Sequence, residues 1–214
     1  MTLVFIKYGP PELHEKLITL FNEMLENGET EMTWRHTIFR MIEKKGDLED
    51  PANYRPIAIL AIFYKIFAKM LYHRLEEKLE RHQAEDQFGF RSSLRIEEAI
   101  GIVENMISAT NEDNLPLWIA SLDLRKAFDR IQHDTLFAAL REQGLDHAEV
   151  ALLLDMYSSQ SGSVGNSKTF QIERGVKQGD SLSSLLFNAA TESIFRRWKA
   201  RLDGHGWIIR NGSD

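Results

Sequence analysis

Residues 117–129 read LWIASLDLRKAFD, an apolar run that ends on one carboxylate and turns abruptly into a basic, amphipathic stretch. Leu117, Trp118, Ile119 and Leu122 have the aromatic and branched or bulky character of a strand, and Pro116 bounds them. The run is too short and too apolar for a solvated face, so it predicts a buried strand with Asp123 at its end. A bare carboxylate in that position carries a large desolvation cost. Two partners would relieve it. Asp123 caps the N-terminus of the following helix, or it meets a hard cation such as Mg²⁺, which one or two carboxylates hold together with substrate phosphates. The local residues leave both readings open.

At 214 residues the chain is long enough to bury a core, as one large domain or two small ones. No apolar run approaches 18 residues, and Met1 to Pro10 lacks the charged start and apolar centre of a signal peptide, so nothing targets the chain to a membrane or for export. The absence of cysteine excludes disulfides, thiolate metal sites and a cysteine nucleophile, and is compatible with a reducing compartment. A net charge of −6 argues against nucleic-acid binding by bulk charge. The distribution is uneven, however. Acids cluster in 12–31, 76–85 and around Glu112, whereas Arg125, Lys126 and Arg130 flank Asp123 and Arg174 and Lys177 flank a second informative stretch, which leaves room for a local basic surface.

Helices are predicted over 12–27, from Ile59 to about Arg81, over 96–107, 134–143 and 147–157, from apolar residues at three- and four-residue spacing. Residues 34–45 read as a strand followed by a turn at Lys44, Lys45, Gly46 and Asp47, and 51–56 as an irregular segment between two prolines. Gln87 to Ser92, QFGFRS, is a Gly-centred turn that presents an aromatic and a cation or simply anchors two phenylalanines. His133 lacks a second ligand at metal spacing and reads as structural. The 168–173 stretch suggests the return strand of a hairpin, and 207–209 the start of another strand.

The second informative stretch is Arg174 to Asn188, RGVKQGDSLSSLLFN. A basic, Gly-spaced loop leads through Asp180 or Ser181, either a suitable N-cap, into a helix. Gly175 and Gly179 allow the backbone and Gln178 to approach a planar or anionic ligand closely. The spacing is not that of a nucleotide-binding P-loop.

Together, NYRPIAIL, YKIFAKMLYHRLEEKL, DQFGFRSS, SLDLRKAFDRIQH and RGVKQGDSLSSLLFN occur in the order seen in reverse transcriptases of non-LTR (LINE-like) retrotransposons, and the chain resembles that family from Trp34 onward. The resemblance implies an α+β fold, the fingers and partial palm of a right-hand polymerase without a thumb, with an antiparallel palm sheet packed on helices. It divides the chain into an N-terminal helical extension (1–33), fingers (34–114) and partial palm (115–214). It implies an RNA-directed DNA polymerase that uses two Mg²⁺ ions, an RNA template, a DNA primer and dNTPs.

Position by position, the resemblance makes Asp123 the first catalytic aspartate and, with the backbone carbonyl of Leu124, a metal ligand. Phe128 becomes the aromatic under the sugar that rejects a 2′-hydroxyl, Gln178 and Gly179 the turn against the incoming nucleotide, and Lys44 and Arg55 the basic pair on the triphosphate. Asp129 receives no metal role and is expected to cap a helix. These residue types suit in-line attack of a primer 3′-hydroxyl on an α-phosphate, in which metals activate the nucleophile and neutralise the leaving pyrophosphate and an Arg fork fits phosphate oxygens. Two departures stand out. Ser181 and Ser184 replace the family's prolines, and no aromatic-Ala-Asp-Asp occurs in the sequence. The isolated chain is therefore expected to hold one of three side-chain metal ligands and to be inactive by itself. The alternatives are a non-catalytic nucleic-acid-binding remnant and a fragment that does not fold stably, its sheet edge left open.

Overall fold

The computed structural model describes residues 3–202, so the strand start expected at 207–209 lies outside them. Four helices form the core: α3 (Ile62–Glu80), α6 (His133–Glu142), α7 (His147–Tyr157) and α8 (Ser181–Lys199). Along α3 the buried side chains are Tyr64, Phe67, Ala68, Leu71, Leu75 and Leu79, a stripe at the three- and four-residue spacing that puts them on one face. They meet Leu136 and Leu140 of α6, Leu153 of α7, and Leu182 and Leu186 of α8 in one cluster. Helices α1 (Leu3–Lys7) and α2 (Pro11–Asn27) precede this core, and α2 adds Phe21 and Met24 to it. Phe21 and Trp34 both pack on Phe67, with ring centroids 5.3 Å and 5.6 Å away.

A sheet of four strands lies beside the helices in the order β2-β1-β3-β4, where β1 is His36–Glu43, β2 Tyr54–Ile59, β3 Ser161–Val164 and β4 Phe170–Gln171. The expected return strand is β4, antiparallel to β3. The sheet is mixed and not purely antiparallel, because β1 pairs parallel with β3, from His36 opposite Ser161 to Phe39 opposite Val164. Trp34, expected in the first strand, belongs to a 3₁₀ turn at Met32–Arg35. The segment 51–56 is not irregular throughout: after a 3₁₀ turn at Pro51–Asn53, β2 starts at Tyr54 and runs through Pro56. Proline is tolerated there because β2 is the edge strand. The amide of Ala58 points off the sheet to the Gln178 carbonyl, and Pro56, two residues earlier, faces the same way, so no ladder bond is lost.

The largest difference from expectation lies at residues 115–124. They form no strand, and Trp118 is 92% exposed and Leu122 79% exposed. Asp123 is exposed as well, so it is not the buried acid that the sequence suggested. The side chains have strand character, but a strand needs a neighbour for its backbone and cover for its apolar face. Among the described residues neither is present. Helix α4 (Ile96–Glu112) forms as expected, yet its apolar Ile96, Ile100 and Val103 are also exposed. Leu140→Ala is expected to destabilise the protein by about 2–5 kcal/mol through cavity formation, whereas Leu122→Ala stays within about 0.5 kcal/mol. Urea unfolding of both variants checks this.

Candidate active site

The hairpin of β1 and β2 brings two cations to one end of the sheet. Ile42 stands opposite Arg55, Glu43 opposite Tyr54, and the Lys44 amide donates to the Asn53 carbonyl at 2.7 Å. Lys44 is half-buried, while its neighbour Lys45 is exposed.

The 174–178 segment stands between this hairpin and the residues that follow Asp123. On one side the Gly175 amide donates to the Ile131 carbonyl at 2.7 Å and the Val176 amide to the Phe128 carbonyl at 2.9 Å. On the other, Ala58 of β2 donates to the Gln178 carbonyl at 2.9 Å. Gly175 is required: at φ +91° a Cβ would lie 3.0 Å from both the Phe128 carbonyl oxygen and the Asp129 Cα. Gly179, at φ +106°, turns the chain into α8 beside Ala58 and Ile57.

The result is a cleft of about 290 Å³ whose lining includes Lys44, Arg55, Asp123, Leu124, Phe128 and Gln178. Six residues singled out from the sequence thus converge, and Gly179 adjoins them on the Gln178 turn. Phe128 stacks on Phe187 of α8 at 4.6 Å with parallel rings, and Phe90 meets it edge-on at 5.7 Å. Phe90 adopts φ +60°, and its loop is pinned by Arg91, which donates to Glu80 at 2.7 Å and to the Ala84 carbonyl at 2.8 Å. The QFGFRS arginine therefore serves the loop itself. His133 is structural, its Nε2 3.0 Å from the Gly175 carbonyl oxygen. A second, wider hollow of about 780 Å³ shares Pro56, Asp129 and Gln178 with the cleft and runs along the sheet past Phe39, Phe170 and Arg174. The Phe39 and Phe170 rings, both in its lining, stack on each other at 6.1 Å.

Three expectations need correction. Asp123 caps no helix: the next one, α5 (Ala127–Arg130), is capped by Lys126 in the left-handed region at φ +54°. Asp129 is not a cap either, since it lies within that single turn, whose start Lys126 sets. Lys177, counted with the basic surface, is buried, whereas Arg174 on the same loop is exposed. Among the described residues no three acidic or histidine side chains gather as a metal cluster.

The sequence matches the family described as reverse transcriptase (RNA-dependent DNA polymerase) over residues 42–209. The chain belongs to the reverse transcriptase family. Similar proteins include the Pol polyprotein of the type-1 retrotransposable element R2 of Popillia japonica, 30% identical over 79% of this chain and 24% of the relative. A 149 kDa protein of transposon TX1 from Xenopus laevis is 28% identical over 95% of the chain and 16% of its own length. A probable RNA-directed DNA polymerase from transposon X-element of Drosophila melanogaster is 31% identical over 72% of the chain and 18% of its own length. The chain thus spans a quarter or less of these relatives.

Behind the Gln178–Gly179 turn this reverse transcriptase domain buries a charged cluster that sequence reasoning did not find. Asp180 caps α8, its Oδ1 accepting from the Leu182 amide at 3.2 Å, and its Oδ2 accepts from the Tyr64 hydroxyl at 2.7 Å. Burial pushes the Asp180 carboxyl up from its ordinary range, and the Tyr64 bond, the Leu182 amide, Lys177 and Lys65 oppose that shift. Burial likewise lowers Lys177 to about 8, with Asp180 pulling it back up. Tyr64 and Tyr157 are both raised, by burial first and by the Asp180 charge second. The signal missed was the pairing of Lys177 and Asp180 around Gln178-Gly179, since a sequence does not say that a loop lysine points inward. A lysine with a depressed folded-state pKa holds fewer protons than in the unfolded chain, so stability rises with pH from about 8 toward 10. Across that window the native protein is expected to gain on the order of 2 kcal/mol relative to Lys177→Met, as measured by urea unfolding at stepped pH.

Proposed function

We propose that this chain carries the nucleotide-binding wall of an RNA-directed DNA polymerase that extends a primer on an RNA template. The observation that supports it best is the convergence of Lys44, Arg55, Asp123, Phe128 and Gln178, from four separated stretches, on one cleft. In this reading Lys44 and Arg55 take the triphosphate. Arg55 offers a planar fork to its oxygens and Lys44 a compact charge, and together they offset the charge that builds on the leaving pyrophosphate. Phe128, held flat by Phe187, forms a floor under the sugar, where an added 2′-hydroxyl would collide with the ring. Gln178 and the open Gly179 face the base.

Asp123 and the Leu124 carbonyl supply hard oxygen donors, and both line the cleft with the two cations. One or two carboxylates with substrate phosphates suit Mg²⁺, so the donor chemistry fits an ion that arrives with the nucleotide. When bound, two such ions would activate the primer hydroxyl and stabilise the departing phosphate. The finer reading of the architecture, fingers for 34–114 and partial palm for 115–214 after a helical extension, belongs to the same proposal. The wider hollow past Phe39 and Phe170 suits the unpaired template, because aromatic faces stack on any base.

In a polypeptide that joins this chain to an aromatic-Ala-Asp-Asp segment, primer extension on RNA is expected to fall by roughly 10³-fold or more in Asp123→Asn. Arg55→Ala should raise the dNTP KM about tenfold by removing ground-state phosphate contacts. Undiminished extension by Asp123→Asn would refute the assignment.

A further inference from the structure

Gln178 and Gly179 are bracketed by two ionisable residues whose side chains run inward rather than toward the cleft. Lys177 is 4% exposed and Asp180 7% exposed. The same aromatic residue of α3 receives both. Tyr64 donates its hydroxyl to Asp180 Oδ2 at 2.7 Å, and its ring carries the Lys177 ammonium 4.7 Å from its centroid. Lys177 Nζ also lies 3.5 Å from the Trp34 carbonyl oxygen, and the Trp34 ring meets the Tyr64 ring edge-on at 5.7 Å. The turn is closed by the Asp180 amide donating to the Lys177 carbonyl at 3.1 Å.

We propose that Lys177, Tyr64 and Asp180 are positioning residues that clamp both ends of the Gln178–Gly179 turn to α3 and so set its distance from the Lys44–Arg55 hairpin. Burying opposite charges costs several kcal/mol per ion in desolvation and contributes less stability than apolar side chains of the same volume. What such a pair does provide is direction. A cation on the ring face and an acceptor at the hydroxyl fix two points of the backbone on either side of Gln178 relative to one rigid side chain. Gln178 in turn accepts from Ala58, the third residue of β2 beyond Arg55, so the clamp reaches the opposite wall through a single hydrogen bond. That this distance serves a nucleotide rests on the function proposed above.

Two measurements on the 214-residue chain separate the two ideas. The first is NMR-detected hydrogen exchange at the Ala58 amide, with the Leu140 amide in the core as reference. In Tyr64→Phe, which deletes one oxygen, and in Lys177→Met, Ala58 exchange is expected to accelerate about tenfold while Leu140 is unchanged, the pattern of local opening. The second is binding of dTTP with Mg²⁺, expected to weaken about fivefold in both variants, with affinity for an RNA–DNA duplex unchanged. Unaltered Ala58 exchange, or acceleration of Ala58 and Leu140 together, would overturn the clamp. If instead Arg55→Ala leaves dTTP binding as it was, the nucleotide reading fails, and the clamp is decided by the exchange result alone.

Discussion

The site depends on one strip of backbone. Residues 174–178 are hydrogen-bonded on one side to Phe128 and Ile131 and on the other to Ala58, so they act as a spacer between two parts of the chain that otherwise share few ties. Width is what this spacer controls. Without it the hairpin cations and the Asp123 segment would be separate surface features, and glycine at 175 is the residue that lets the strip lie close enough to make both bonds. Side chains contribute the chemistry, but their convergence is a backbone property.

Charge is arranged in the same economical manner. The chain is acidic as a whole, with a net charge of −6. Around the cleft, however, Lys44, Arg55, Arg125 and Lys126 gather beside Asp123 and Asp129. In the function proposed above, a locally mixed cleft with an excess of cations on an acidic body suits a ligand that brings both phosphates and a divalent ion better than a polyanion that wraps the entire surface. The buried Lys177 belongs to a different set of charges, facing Tyr64 and Asp180 instead of solvent.

Much of this was legible from residue order. Helices α2, α3, α6 and α7 follow apolar spacing and lie within three residues of their expected limits, α4 starts where expected but runs on to Glu112, and α8 starts at the expected cap, because periodicity and breakers are local properties. The residues that line the cleft were legible through motif order. What was not legible depended on neighbours distant in sequence. Residues 117–122 have the composition of a strand but have no strand beside them among the described residues. Residues 54–59 look broken at Pro56 and still pair, because the edge position spares the missing amide. Lys177 is indistinguishable in sequence from a surface cation, and Tyr64 from a packing aromatic, until α3 and α8 are brought together.

The parallel pairing of β1 with β3 has a consequence for the order in which the molecule assembles. His36 and Ser161 are neighbours in the sheet although most of the chain intervenes, so closing that pair carries the entropy of a very long loop. The β1–β2 hairpin needs only local contacts and can form while the chain is still short, as can each helix. Residues 161–178 carry this non-local pairing, and with them comes the strip that holds Gln178. Because α8, which supplies Leu182 and Leu186 to the core, follows that strip in sequence, core and cleft are completed together, and during synthesis a chain that stops short of Gln178 lacks both.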